Sequence, residues 1–112
     1  MNLLIKFFFI TSIFHSVTFA QDFSKIDKDL SDLNFNKTLI PLEELNNLYP
    51  NNKDILLRLS ITHHYLSEKA IQQKEDKENA QKAFKYIDHA FSLNSEDPNV
   101  LKWYLSLIHI SE

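Results

Sequence analysis

The sequence predicts an all-α protein built from antiparallel helix pairs, and three observations carry that reading. Ala80, Ala83, Phe84, Ile87, Ala90 and Phe91 recur at three- and four-residue steps, which lines small and large apolar groups along one helix face. Leu93-Asn94-Ser95-Glu96-Asp97 ends that helix without glycine, and Pro98 stands where a first helical residue belongs, with Asp97 before it as a cap. No run alternates apolar and polar residues with a period of two, so no strand is expected. Small alanines let two antiparallel helices approach closely, and a following helix bearing Val100, Leu101, Trp103 and Tyr104 packs against the pair. Stacked units of this kind present surfaces and rarely carry chemistry.

Of the 112 residues, the first twenty read as an export signal. Lys6 is their lone positive charge, followed by the apolar groups Phe7-Phe8-Phe9-Ile10 and Ile13-Phe14. Thr18-Phe19-Ala20 then sets small residues before a cut between Ala20 and Gln21. His15 and Ser16 interrupt the apolar run, leaving it short of the ~20 residues of a membrane span. A buried first helix and an uncleaved anchor are the alternatives to cleavage. Residues 1–20 are thus expected to be a signal peptide, 21–104 a helical-repeat domain and 105–112 a separate tail. The mature chain is expected outside the cytoplasm, periplasmic or secreted from a bacterium, touching membrane only transiently through the signal.

Four helical segments and the start of a fifth follow. Phe23, Ile26, Leu30 and Leu33 give a short amphipathic helix, which the Asn34-Phe35-Asn36 region breaks. Leu39, Leu42, Leu45 and Leu48 form a second at three-residue steps, with Pro41 near its start. Tyr49-Pro50 ends it, because the residue before a proline is pushed out of the helical region. The third begins at Asn52 or Asp54 as cap and runs through Ile55, Leu56, Leu59, Thr62, His63 and Leu66. Leu57 and Ile61 add apolar surface on a second side, as expected of a helix sandwiched between neighbours. Ser67 to Lys82 is strongly charged and reads as a solvated helix extension or an interhelical loop.

The tail Leu105-Ser106-Leu107-Ile108-His109-Ile110-Ser111-Glu112 is similar to the translation of a transposon-derived sequencing adapter, with all eight positions matching. On that reading the repeat domain is a fragment whose own sequence ends near Tyr104, and His109 carries no functional weight. The other reading is a natural amphipathic helix end in which Leu105, Leu107, Ile108 and Ile110 pack.

Composition excludes several functions. With no cysteine, an exported chain has no disulfides and relies on helix packing for stability. With no glycine, phosphate-cradling loops of the Walker or dinucleotide type are ruled out, and no cofactor is expected. The net charge of −3 is mild and interspersed, without a basic stripe for a nucleic-acid backbone. Glu43-Glu44 and Glu75, Asp76 and Glu78 read as exposed faces rather than a catalytic carboxylate pair. His63-His64 is the only histidine pair, and adjacent helical residues point about 100° apart, so it forms no i, i+4 metal clamp. His89 lies in another helix beside Asp88. No catalytic or metal residue is therefore assigned. A non-catalytic scaffold that binds a protein or peptide is the expected function. A small exported helical enzyme or metal-binding protein using His63, His64 and His89 is the alternative. Trp103 and Tyr104, at helical spacing beside Val100, are expected in the core rather than stacked on a ligand.

The turn signals Leu48-Tyr49-Pro50-Asn51-Asn52 and Leu93-Asn94-Ser95-Glu96-Asp97 lie 45 residues apart, each closing a helix pair. A standard tetratricopeptide unit has roughly 34, so the pattern reads as a divergent tetratricopeptide-like repeat whose excess falls in Ser67 to Lys82. The segment Ile55 to Tyr104 resembles the regulator of microtubule dynamics family. The residues that carry the resemblance are Leu56-Leu57-Arg58-Leu59-Ser60, Leu66-Ser67-Glu68, Tyr86 through Ala90 to Leu93-Asn94, and Lys102-Trp103-Tyr104. Leu57 departs from the family pattern, which favours tryptophan there. The resemblance implies a tetratricopeptide-like fold and a scaffold role. Microtubule association belongs to some animal members, whereas this exported chain looks like a bacterial relative.

Overall fold

A computed structural model describes residues 23–111. The expected export signal at 1–20 and its Ala20/Gln21 cleavage site lie outside the described residues. Among the described residues the chain is all-α, with no strand. Helix α1 covers 23–31, α2 Phe35–Leu48, α3 Lys53–Lys69, α4 Gln73–Leu93 and α5 Pro98–Ser111. The chain divides at Leu33 and Asn34, so that α1 belongs to one unit and α2–α5 form a second. Helix α1 ends with Ser31 donating its hydroxyl to the Lys28 carbonyl at 2.8 Å. Leu33 then takes a left-handed φ of 64°, where a glycine would ordinarily serve.

Local chemistry explains most of the boundaries. Asn52 caps α3, its Oδ1 accepting from the N–H groups of Asp54 and Ile55 at 2.9 and 3.1 Å. Asp97 does the same for α5, accepting from Asn99 and Val100 at 2.9 and 3.2 Å, with Pro98 as first helical residue. Pro50 forces Tyr49 out of the helix at φ −133° and ψ 71°, ending α2. Helix α4 closes at Asn94, whose Oδ1 accepts from the Glu96 N–H at 3.1 Å and stabilises the turn without glycine. The charged stretch after Ser67 is broken only at Ala70–Gln72, and from Gln73 onward it is an exposed extension of α4.

Helix α2 corrects the sequence reading. Its buried residues are Phe35, Thr38 and Leu42, whereas Leu48 is 70% exposed. Four leucines at three-residue steps rotate by about half a turn around a helix of 3.6 residues per turn, so they cannot share one face. The helix also starts earlier than expected, at Phe35, which leaves Pro41 inside it. Tertiary packing supplies the reason. Phe35 is buried and stacks on Tyr65 of α3 at 4.7 Å and 11°. Thr38 donates its hydroxyl to the Phe35 carbonyl at 2.9 Å. With that proton spent, Thr62 of α3 must donate to Thr38 across their 3.0 Å contact, giving a satisfied polar link between α2 and α3.

Helix α3 lies between α2 and α4 and also touches α5. Its antiparallel seam with α4 is marked by a row of polar contacts. Ser60 donates to the Ala83 carbonyl at 2.6 Å, His63 meets Asn79 at 2.8 Å, and Ser67 donates to the Asp76 carbonyl at 3.0 Å. A serine hydroxyl reaches a main-chain carbonyl of the facing helix only where small side chains allow close approach. Leu56, Leu57, Ala83, Ile87, Ala90, Val100 and Leu107 form one core cluster against this seam. Each fully buried large aliphatic contributes about 1.5–3 kcal/mol. Within the last eight residues, Leu107 is buried and Leu105 is exposed. Leu101, expected on the packed face of α5, is 38% exposed, because that face runs through Val100, Trp103, Tyr104 and Leu107.

Candidate functional groove

The three histidines of the alternative reading have separate surroundings. His63 is 3% exposed, and its ring stacks on Tyr86 at 5.6 Å. Asn79 donates its amide to the Glu75 carbonyl at 3.1 Å, so its Oδ1 faces His63 and the imidazole carries its proton on Nδ1. Burial pushes the His63 pKa below its ordinary value and Lys82 adds to this, while the Asn79 bond and Glu43 oppose it. His64 points elsewhere, with Nε2 3.3 Å from Glu68 Oε1 one turn on and its ring edge-on to Trp103 at 5.7 Å. His89 bonds Asn51 at 3.2 Å. It lies ten residues beyond Asn79 on α4, roughly 15 Å farther along at 1.5 Å per residue. Among the described residues no group of three or more His, Cys, Asp or Glu is placed to hold a metal ion. Glu43, Glu44, Glu75, Asp76 and Glu78 are exposed, as their pattern suggested.

Trp103 and Tyr104 divide the work of seating α5. Trp103 packs edge-on against Tyr65 of α3 at 6.0 Å. Tyr104 stacks on Phe91 of α4 at 4.0 Å and 6°, with Phe84 at 6.5 Å. Neighbouring residues on one helix thus reach two different helices, and α5 is wedged over the α3–α4 seam. Both aromatics are half-buried and pack against the core cluster.

The wedge leaves a half-open groove of about 730 Å³ where the end of α3, the first half of α4 and Leu107 meet. Ala80, Ala83, Phe84 and Leu107 supply its apolar lining. His64, Glu68, Asp76 and Lys77 supply its polar edge. Ser67, also at the groove, shares its one hydroxyl proton between the Asp76 carbonyl and the Asp76 carboxylate and so holds that side chain in place. The volume lies within the ~300–1,000 Å³ of ligand-sized pockets. Sequence reasoning missed this groove. Ala80 and Ala83 signalled a close helix contact, and only the fold brings Leu107 and Glu68 beside them. A shallower hollow of about 430 Å³ adjoins the α3–α4 turn, where Ile71 is almost wholly exposed.

No curated protein and no solved structure matches the chain. The family model described as regulator of microtubule dynamics protein 1-3 matches residues 22–110. That span covers α1 to nearly the end of α5 and includes every residue that lines the groove. The chain belongs to the regulator of microtubule dynamics protein 1-3 family.

Proposed function

We propose that the chain is a non-catalytic, exported scaffold of the tetratricopeptide-like class that binds a protein or peptide partner. The observation that carries this reading is the half-open groove, apolar within and charged at its edge, to which three helices contribute. Repeat proteins bind in this manner, through side chains spread over several helices. Two further observations support it. The capping residues Asn52 and Asp97 stand 45 residues apart and open helices that both pack on α4. Helix α5 sits on the α3–α4 pair as the first helix of a following unit would. The Lys6, apolar run and Thr18-Phe19-Ala20 arrangement supports export to the periplasm or medium. An exported chain meets no microtubule, so the scaffold role is carried over from the family and the partner in its name is not.

Selection of an unbiased displayed peptide library on the purified chain tests the binding role. Enrichment of peptides whose binding is lost when Ala80→Leu fills the groove is the expected result. A library that yields no binder would contradict the interaction role. N-terminal sequencing from the native host checks export, with Gln21 as the expected first residue and Met1 as the contrary one.

A further inference from the structure

We infer that the groove receives a bulky apolar side chain from a peptide that carries lysine or arginine beside it, an inference that rests on the interaction role proposed above. The interior sets the first half of this specification. Ala80 and Ala83 leave the space, and Phe84 and Leu107 wall it with apolar surface that an aromatic or branched aliphatic side chain would cover. The edge sets the second half. Glu68 and Asp76 place two carboxylates at the groove against the single ammonium of Lys77. Glu68 is 58% exposed as a side chain; its Oε1 lies 3.3 Å from His64 Nε2 and its other oxygen is left to meet a cation, while the Ser67 hydroxyl fixes the Asp76 carboxylate. The start of α4 reinforces the sign. A helix N-terminus ordinarily favours anions, but here Glu75 and Asp76 already occupy the first turn. An acidic partner would meet these carboxylates directly, and a basic one would complement them.

The test uses the full chain and three fluorescein-labelled peptides read by fluorescence anisotropy. The first is Lys-Lys-Ala-Phe-Ala-Lys-Lys, the second has glutamate at each lysine, and the third has alanine for phenylalanine. The lysine–phenylalanine peptide is expected to bind at least ~tenfold more tightly than either other peptide, and to weaken as salt rises. Ala80→Leu is expected to remove binding by filling the groove. Glu68→Lys, at an exposed position, is expected to weaken it ~threefold or more with the helical circular dichroism unchanged. Equal binding of the glutamate peptide, lost in Ala80→Leu, would overturn the charge assignment and leave the interaction role standing. Binding of the lysine peptide that neither substitution alters would overturn the site. If none of the three binds while library peptides do, the inference fails alone; if no peptide of either kind binds, both fail.

Discussion

Lys53, the first residue of α3, forms an ion pair with Asp97, the residue that caps α5. The pair joins the entrances of two helices separated by the whole of α4. It also makes Asp97 serve two structures at once, as acceptor for the first N–H groups of α5 and as partner of the ammonium. The Lys53 ammonium holds the Asp97 carboxyl below the usual carboxylate range, and the Val100 and Asn99 N–H groups act in the same direction. Asp97 in turn raises Lys53.

Asp97→Ala is expected to cost ~0.5–2 kcal/mol in urea unfolding at neutral pH, the usual worth of a helix cap. Asp97→Asn keeps a capping oxygen, so it should cost less, ~1 kcal/mol or below for a partly exposed ion pair. The sign with pH follows from the depressed carboxyl. Its contribution is whole above about pH 4 and is lost as pH falls through the folded-state value. For Lys53, raised in the folded state, the contribution is whole below about pH 10.5 and is lost as pH rises further. Both slopes should shrink in Asp97→Asn.

Ala83 and Ala90, both fully buried on the α4 face, should each tolerate leucine poorly. Overpacking is expected to cost ~1–3 kcal/mol in denaturant unfolding. Ala83 should be the more sensitive of the two, because a larger side chain would push α4 from Ser60 and stretch its bond to the Ala83 carbonyl. Neutral behaviour of both variants would mean that the α3–α4 seam is misplaced.

The helix ends were legible because their causes are local: Asn52, Asp97 and Pro98 act on the residues beside them. The stripe Ala83, Ile87 and Ala90 was legible for the same reason, since helical periodicity is a short-range property. Helix α2 was not, because its start and its buried face are set by Phe35 stacking on Tyr65, a partner thirty residues away. The different fates of His63 and His64 followed from their 100° offset, but which one turned inward depended on Asn79 and Tyr86. The groove was the least legible feature, for it is assembled from residues as far apart in the chain as His64 and Leu107.

Pro41 offers a stabilising substitution. Inside α2 it has no N–H to give the Lys37 carbonyl, and its own side chain is exposed, so replacing it removes little packing. Pro41→Ala is expected to raise stability, by up to ~3 kcal/mol, the cost of proline relative to alanine inside a helix. A fall in melting temperature would show that Pro41 is needed to bring Phe35 and Leu42 to α3 together.

His63 should make stability depend on mild acid. Its folded-state pKa lies below the ordinary value, so the unfolded chain takes up the proton first as pH drops. Stability is therefore expected to be full above about pH 6.5 and to decline as pH falls through the folded-state value. The groups facing the ring are Asn79, Lys82 and Tyr86 of α4 and Glu43 of α2. His63→Gln should flatten the slope between neutral and mildly acid pH.

Binding is proposed at the groove where α5 closes over the α3–α4 seam, and amide hydrogen exchange with a library-selected peptide tests that proposal directly. Slower exchange is expected at the end of α3 near His64–Glu68, in α4 from Asp76 to Phe84 and around Leu107, with α2 unchanged. Protection confined to α2, or none at all with the peptide bound, would contradict it.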